Sequence, residues 1–199
     1  MKTRTQKWAL LAALFVSFSV AANEIYIEQV GDNSTVTITQ DGASNIIGTQ
    51  LAPAFIGGGS NTLTIDQIGA GNELTMTVNG ATTTVAVAIT GSNNASAITC
   101  GTTMSASCSG SNIQQTVTGD GNTLTQTLGG GANHISKLTV TGDTNTVSHT
   151  STNTGTVNVD YTVIGDTNNV SITTSGTTAK TLNATTTGNG NTVTIVQTN

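Results

Sequence analysis

Polar and apolar residues alternate along most of the chain after residue 22, in short runs separated by glycine and asparagine. The alternation places one apolar set on a common face: Val36, Ile38, Leu63, Ile65, Leu74, Met76, Val78, Leu124, Leu128, Val193 and Ile195. Successive side chains of a β-strand point to opposite faces, so a period of two is typical of strands. The pattern predicts many short strands around a thin aliphatic core, and no helix after residue 22.

A corner phrase, Gly-x-x-Asn, separates these runs and recurs at a fixed spacing in the second half of the chain. The phrase ends, at intervals of 23 residues, at Asn122, Asn145, Asn168 and Asn191. A further phrase at Asn133 splits this period into two arms, each a strand plus a turn. Glycine and asparagine tolerate positive φ and suit tight turns. The repeat predicts an all-β, two-sheet β-solenoid of stacked strand-turn-strand-turn coils of ~23 residues, about six or seven in number.

Two stretches interrupt the rhythm and are predicted to be insertions that bulge from the stack, near residues 48–59 and 97–110. The second stretch carries both cysteines, Cys100 and Cys108. In a secreted chain this pair predicts one structural disulfide that closes a small loop. A redox or metal pair is the alternative, but His134 and His149 lie far away in sequence.

Residues 1–22 are predicted to be a cleaved signal peptide. They combine three basic residues, an apolar run over residues 8–18 and the small residues 20–22, with Asn23 as the mature start. The apolar run is too short for a transmembrane anchor, which needs roughly 20 residues. We therefore expect a secreted domain, residues 23–199, with no membrane insertion.

Charge and composition narrow the function further. After residue 22 the chain keeps two cations, Lys137 and Lys180, against ten carboxylates, a net charge of −8 with no arginine. Such a chain cannot neutralise phosphates, which excludes nucleic-acid binding. We also predict no enzymatic activity, no cofactor and no metal site. The carboxylates are scattered at corners, and a flat solenoid face lacks the cleft with a facing carboxylate pair that a glycosidase needs.

Three phrases carry a resemblance to a known family. Residues 67–72 read Gln-Ile-Gly-Ala-Gly-Asn, residues 40–45 read Gln-Asp-Gly-Ala-Ser-Asn, and Gln29 begins a shorter version. The pattern Gln-x-Gly-x-Gly-Asn followed by an alternating strand resembles the curlin repeat of bacterial curli fibre subunits. In the second half the leading glutamine is replaced and aspartate enters the corner, so the chain resembles a divergent member.

The resemblance implies a structural subunit of an extracellular curli-like amyloid fibre on the cell surface, assembled head to tail for adhesion or biofilm. The subunit would pass through the periplasm, with further copies of itself, a nucleator subunit and an outer-membrane secretion channel as partners. The resemblance also implies stacked amide ladders. Together with the corner positions, the predicted structural site comprises Gln29, Gln40, Asn45, Gln67, Gly69, Asn72, Asn122, Gln126, Asn145, Asn168 and Asn191. Stacked amides in register pair with copies above and below.

Two alternatives remain open from the residues. The corner carboxylates of Asp120, Asp143 and Asp166 would stack as solvated like charges that slow assembly, or would gather oxygens for calcium. The chain would instead be a non-polymerising rod, used as an adhesin or, through its recurrent Thr-x-Thr pairs, as an ice-binding face. Strand-like sequences at both ends of residues 23–199 favour head-to-tail assembly over a capped rod.

Overall fold

The computed structural model describes residues 22–199 apart from 32, 56, 59, 80–81, 100, 102–109, 111, 130–133 and 154. Within these residues the chain forms strands and no helix. In chain order the strands are β1 (Glu24–Ile25), β2 (Ile27–Glu28), β3 (Thr35–Asp41), β4 (Ile46–Ile47), β5 (Ala54–Phe55), β6 (Thr62–Ile68), β7 (Glu73–Thr77), β8 (Thr84–Thr90), β9 (Ala95–Thr99), β10 (Asn112–Thr118), β11 (Thr123–Leu128), β12 (His134–Lys137), β13 (Thr146–Ser151), β14 (Val157–Ile164), β15 (Asn169–Thr174), β16 (Lys180–Thr187) and β17 (Thr192–Gln197).

The strands stack into two parallel sheets. Sheet A has the order β1-β4-β7-β9-β11-β13-β15-β17, with β2 and β5 continuing the levels of β1 and β4, and sheet B has the order β3-β6-β8-β10-β12-β14-β16. We call each level of a sheet a rung. The chain alternates between the sheets, so each coil contributes one rung to each sheet, and β17 adds a last rung to sheet A. These seven coils confirm the predicted all-β, two-sheet solenoid.

The core lies between the two sheets and consists of the inward residues of each rung. Leu63 and Ile65 on β6 face Leu74 and Met76 on β7, and all four side chains are at most 2% exposed. At the ends of the stack the equivalent side chains, such as Val36 and Val193, are only partly buried. Each inner rung is covered on both sides by a neighbour about 4.8 Å away, whereas each terminal rung is covered on one side.

The spacing of successive corner asparagines shows where the coils are extended. It is 22, 27, 22 and 28 residues over the first four steps and 23 residues afterwards. In the second coil the extra residues lie between β4 and β5, where Thr49 and Ala52 exchange backbone hydrogen bonds. Leu51, at the tip of this turn, is 98% exposed.

Several sequence predictions fall on residues that the structure does not describe. In the fourth coil β9 continues to Thr99, and the predicted pair Cys100 and Cys108 lies outside the described residues. The predicted signal peptide also lies outside them, except for its last residue. Nothing in the described part of the chain forms a helix that could cross a membrane.

Candidate functional site

The corner asparagines form one continuous ladder that joins all the coils. It runs through Asn23, Asn45, Asn72, Asn94, Asn122, Asn145, Asn168 and Asn191. At each step the side-chain Oδ1 accepts the backbone N–H of the next asparagine at 2.9–3.1 Å. From Asn45 onward the same Oδ1 also accepts the Nδ2–H of the next asparagine at 2.9–3.1 Å. The ladder therefore has a direction, with every oxygen aimed toward the C-terminal end.

From Asn45 to Asn168 the asparagine side chains are buried, and their amide groups are well satisfied. Nδ2 of Asn72 also donates to the carbonyl of Gly91, one coil further on, at 2.8 Å. Nδ2 of Asn122 donates in the same way to the carbonyl of Gly142 at 2.8 Å. A buried amide costs free energy unless its hydrogen bonds are made, so this arrangement turns a polar residue into a fastening between coils.

Glycine begins each corner because the next coil passes too close for a side chain. Gly69 has φ +115°, and a Cβ there would lie 1.9 Å from the carbonyl oxygen of Gly91. The same conflict occurs at Gly142, where a Cβ would lie 2.4 Å from the oxygen of Gly165. Gly188, in the last corner, differs: the nearest described atom to its Cβ position is 3.6 Å away. The close approach thus requires a following coil.

The corner carboxylates form a second ladder with the opposite direction. Oδ1 of Asp143 accepts the backbone N–H of Asp120 at 2.8 Å, and Oδ1 of Asp166 accepts that of Asp143 at 2.9 Å. Asn189 continues the ladder by accepting the N–H of Asp166 at 2.8 Å. Each acid therefore bonds to the coil before it, which offsets part of the repulsion between stacked like charges. Among the described residues no group of three or more His, Cys, Asp or Glu side chains is placed to hold a metal ion.

The predicted glutamines do not form one ladder. Nε2 of Gln40 donates to Oε1 of Gln67 at 2.7 Å on sheet B, and Gln67 in turn donates to the carbonyl of Ile46 at 3.3 Å. Gln29 lies exposed on the first coil, and Gln126 lies on sheet A, buried in register with a histidine. The structure therefore joins Gln40 to Gln67 and keeps the other two apart.

The family comparison applies to the first coil, where β1–β3 and the start of the Gly42 corner lie. Residues 21–42 match the family model of the curlin associated repeat. This match confirms the predicted resemblance and, with the altered corner phrases that follow, is consistent with a divergent curlin-repeat chain. No curated protein and no solved structure shows significant similarity to the chain.

The middle of the stack contains a buried polar network that links the two sheets. The Ser96 hydroxyl donates to Oε1 of Gln115, Nε2 of Gln115 donates to Oε1 of Gln126 at 3.1 Å, and Nε2 of Gln126 donates to the Ser136 hydroxyl. Oγ of Ser136 then lies 3.4 Å from Nδ1 of His149. The network was not predicted, although the position of Gln126 between two inward leucines was a usable signal.

Tyr161 packs beside this network in the core. Its ring lies 6.2 Å from that of His149, and it is 1% exposed. Burial raises the pKa of its hydroxyl above the ordinary range of tyrosine. That hydroxyl has no hydrogen-bond partner among the described residues. Tyr161 thus fills space in the core and leaves its polar atom unsatisfied.

The outer face of sheet A carries a shallow trough of about 130 Å³, where Ala95 and Ala97 lie between larger neighbours. Glu73 is the single carboxylate in its lining. The trough therefore lacks the facing carboxylate pair that hydrolysis of a glycosidic bond would need.

The two ends of the stack differ in how open their edges are. At one end, β3 and the short strands β1 and β2 are edge strands; at the other, β16 and β17 are. β17 presents an uninterrupted alternating strand, but β16 carries the inward-pointing Lys180, in register with Val157 and 7% exposed. An inward charge on an edge strand opposes pairing with another strand. At this end of the stack, the inward charge on β16 therefore opposes strand addition to sheet B, whereas β17 leaves the edge of sheet A open to it.

Proposed function

We propose that this chain is a structural subunit of an extracellular curli-like fibre, which assembles head to tail from copies of itself and serves adhesion or biofilm formation. The subunit would be exported through the periplasm and an outer-membrane channel after loss of residues 1–22, and a nucleator subunit would start the fibre. Its role would be mechanical and adhesive, without catalysis or a cofactor.

The continuous asparagine ladder supports this proposal most directly. Its direction leaves the two ends of the stack complementary. Oδ1 of Asn191 faces one end, and the first N–H groups of the ladder face the other. A second copy stacked on the first in the same orientation would continue the ladder without a change of geometry. Complementary unlike ends produce open filaments when the rotation between copies does not close a ring.

The edge strands support the same conclusion. Inward residues on the terminal rungs, including Val36, Val193 and Ile195, are only partly buried, although their counterparts inside the stack are fully buried. Covering them with another copy removes apolar surface from water, worth about 25 cal/mol per Å². Open parallel edges are the usual templates for strand addition.

Electron microscopy of residues 23–199, incubated at neutral pH with thioflavin T in parallel, tests the proposal. We expect unbranched, thioflavin-positive filaments that seed fresh monomer. A thioflavin-silent monomer with a strong β signal in circular dichroism would exclude self-assembly under these conditions. The rod would then need another function.

One observation favours a second candidate, an ice-binding face on sheet A. Five threonines stack in register along one outward column, formed by Thr77, Thr99, Thr127, Thr150 and Thr173. The neighbouring column is less regular because Ala97 interrupts it. Inhibition of ice recrystallisation by the monomer, abolished by Thr127→Lys and kept by Thr116→Lys on sheet B, would support this function.

A further inference from the structure

The two sheets have unequal numbers of rungs, and this constrains how copies join. Within the described residues sheet A has eight rungs, counting β1 with β2 and β4 with β5, and sheet B has seven. If a second copy simply added its β1–β2 rung onto β17, sheet A would be continuous. Sheet B would then lack one rung between β16 and the second copy's β3. The inward side chains of Leu182 and Val36 would stay partly exposed beside that gap.

The first and last rungs of sheet A carry the same inward pattern. After Asn23 the inward residues are Ile25, Ile27 and Gln29, and after Asn191 they are Val193, Ile195 and Gln197. The spacing from the corner asparagine is identical in the two segments. Apart from one difference, valine at 193 where residue 25 is isoleucine, β17 therefore offers the same aliphatic and amide side chains as the β1–β2 rung. It suits the place that this rung occupies.

The β1–β2 rung is also held more weakly than β17. It makes four register pairs with the next rung: Glu24 with Ile46, Ile25 with Ile47, Ile27 with Ala54, and Glu28 with Phe55. β17 makes six continuous pairs with β15. Ile25 remains 48% exposed despite its inward position. A short, split and exposed rung is the part of a solenoid that opens at least cost.

We propose that copies join by strand displacement, in which β17 of one subunit replaces the β1–β2 rung of the next. This inference rests on the proposed head-to-tail assembly. In the joined state Val193 covers Ile47 of the second copy, and Oδ1 of Asn191 accepts the N–H of Asn45 in place of Asn23, which now accepts it at 2.9 Å. β16 then pairs directly with the second copy's β3, so both sheets continue without a gap.

Strand displacement makes a specific demand on Gly188. Every earlier corner glycine has the carbonyl of the next corner against its Cβ position, and in the joined state Gly42 of the second copy supplies that carbonyl to Gly188. In simple addition Asn23 of the second copy would follow Asn191, and the position that faces Gly188 would be residue 20 of that copy. A chain that begins at Asn23 lacks this residue. A side chain at Gly188 therefore has space in the monomer and in simple addition, although the φ of +97° strains any L residue there, and displacement removes that space.

A disulfide staple tests whether the first rung must leave. In a Cys100→Ala, Cys108→Ala background, Glu24→Cys with Ile46→Cys joins two outward register partners, at a separation that a disulfide spans. Thr123→Cys with Thr146→Cys staples the same column in the middle of the stack as the control. We expect oxidation to slow seeded elongation by about tenfold or more for the first pair alone, with recovery on reduction. Elongation of the oxidised first pair at the control rate would overturn displacement.

A corner substitution provides the second test and needs no cysteine. Gly188→Ala strains the last corner in the free and the joined subunit alike, because Gly188 has φ +97°, and under displacement it should in addition slow elongation by about tenfold or more relative to Gly190→Ala. Gly190→Ala is the matched control, because other coils hold Ser44 or Thr167 with positive φ at that position. Equal elongation of the two variants would contradict displacement.

The axial rise per subunit separates the two modes of joining directly. Displacement gives seven rung spacings, about 34 Å, and simple addition gives eight, about 38 Å. Filaments with the longer rise would support head-to-tail assembly and overturn displacement. Failure of the unmodified chain to form filaments would overturn the proposed function, and displacement with it.

Discussion

Asn191 donates both its backbone N–H and its side-chain Nδ2–H to the single Oδ1 of Asn168, each at 2.9 Å. The same oxygen-to-two-donor arrangement joins Asn168 to Asn145 and Asn145 to Asn122. One side-chain oxygen per coil therefore accepts two hydrogen bonds from the following coil. Inside the stack, removing that oxygen leaves a buried backbone N–H without its acceptor and takes one of the hydrogen bonds from the side-chain Nδ2.

The first prediction concerns this ladder. Asn145→Ala should lower the free energy of unfolding by about 3 kcal/mol, because it strands buried donors of Asn168 and removes the amide that reaches Asn122. Asn169→Ala, an exposed asparagine one position beyond the ladder, should change it by less than about 0.5 kcal/mol. Urea unfolding followed by circular dichroism measures both. Equal midpoints for the two variants would show that the ladder contributes nothing to stability.

The second prediction separates the charge of a corner acid from its hydrogen bond. Asp143→Asn keeps an oxygen for the N–H of Asp120 and removes one of three stacked charges, as Asn189 does naturally. It should stabilise the fold by about 0.5 kcal/mol at low salt, and by less at high salt. Asp143→Ala also removes the acceptor and should be less stable than Asp143→Asn. Thermal unfolding at two salt concentrations is the measurement, and a salt-independent difference would argue against stacked-charge repulsion.

The third prediction concerns pH and Tyr161. Because burial raises the pKa of its hydroxyl in the folded state, the unfolded chain loses its proton first, near pH 10. The contribution of Tyr161 to stability should therefore be complete below about pH 10 and fall as the pH rises further.

Tyr161→Phe should remove this alkaline loss. It should also raise stability at neutral pH by about 1 kcal/mol, since the hydroxyl is buried without a partner. Tyr26→Phe, at the only other tyrosine of the chain, is the control. Unfolding midpoints between pH 7 and pH 11 that fall equally in both variants would assign the loss to other groups.

The fourth prediction concerns Lys180, the inward charge on the edge strand β16. Lys180→Leu replaces an inward cation by an aliphatic side chain in register with Val157, and should speed seeded elongation several-fold. Lys137→Leu removes the other cation of the domain from an exposed outward position and should leave the rate unchanged. Elongation rates from thioflavin fluorescence at matched seed concentration compare the two. If Lys180→Leu elongates no faster than Lys137→Leu, the inward charge does not limit assembly.

The periodic features of the sequence were sufficient to predict the architecture. The 23-residue spacing from Asn122 to Asn191 and the alternation after each corner require two strands and two turns per coil. Every coil repeats this local chemistry, so no long-range information was needed. The chain leaves its rung between β4 and β5, within the stretch near residues 48–59 that interrupts the rhythm of the sequence.

Contacts between coils were harder to predict from the sequence. Asp143 and Asn145 both bond to the preceding coil, but in opposite senses. The carboxylate of Asp143 accepts a hydrogen bond from that coil, whereas the side-chain amide of Asn145 donates one to it. Such directions depend on the offset between successive coils, which the sequence does not express. The network through Gln126 was missed for a different reason. Alternation assigns a position to the inside of the stack but does not reveal which polar residues across the core will pair.

The unequal pairing of the rungs has a mechanical consequence. A fibre pulled along its axis carries the same tension through every boundary between coils, because the boundaries lie in series. The joints of sheet A nearest the N-terminus are the short ones: the β1–β2 rung makes four residue pairs with the β4–β5 rung, which makes three with β7. Both joints are interrupted where the chain leaves its rung between β4 and β5. Under tension sheet A would therefore yield near its N-terminal end before the continuous six-pair joints from β11 to β17, and the seven pairs between β3 and β6 of sheet B would carry the load there.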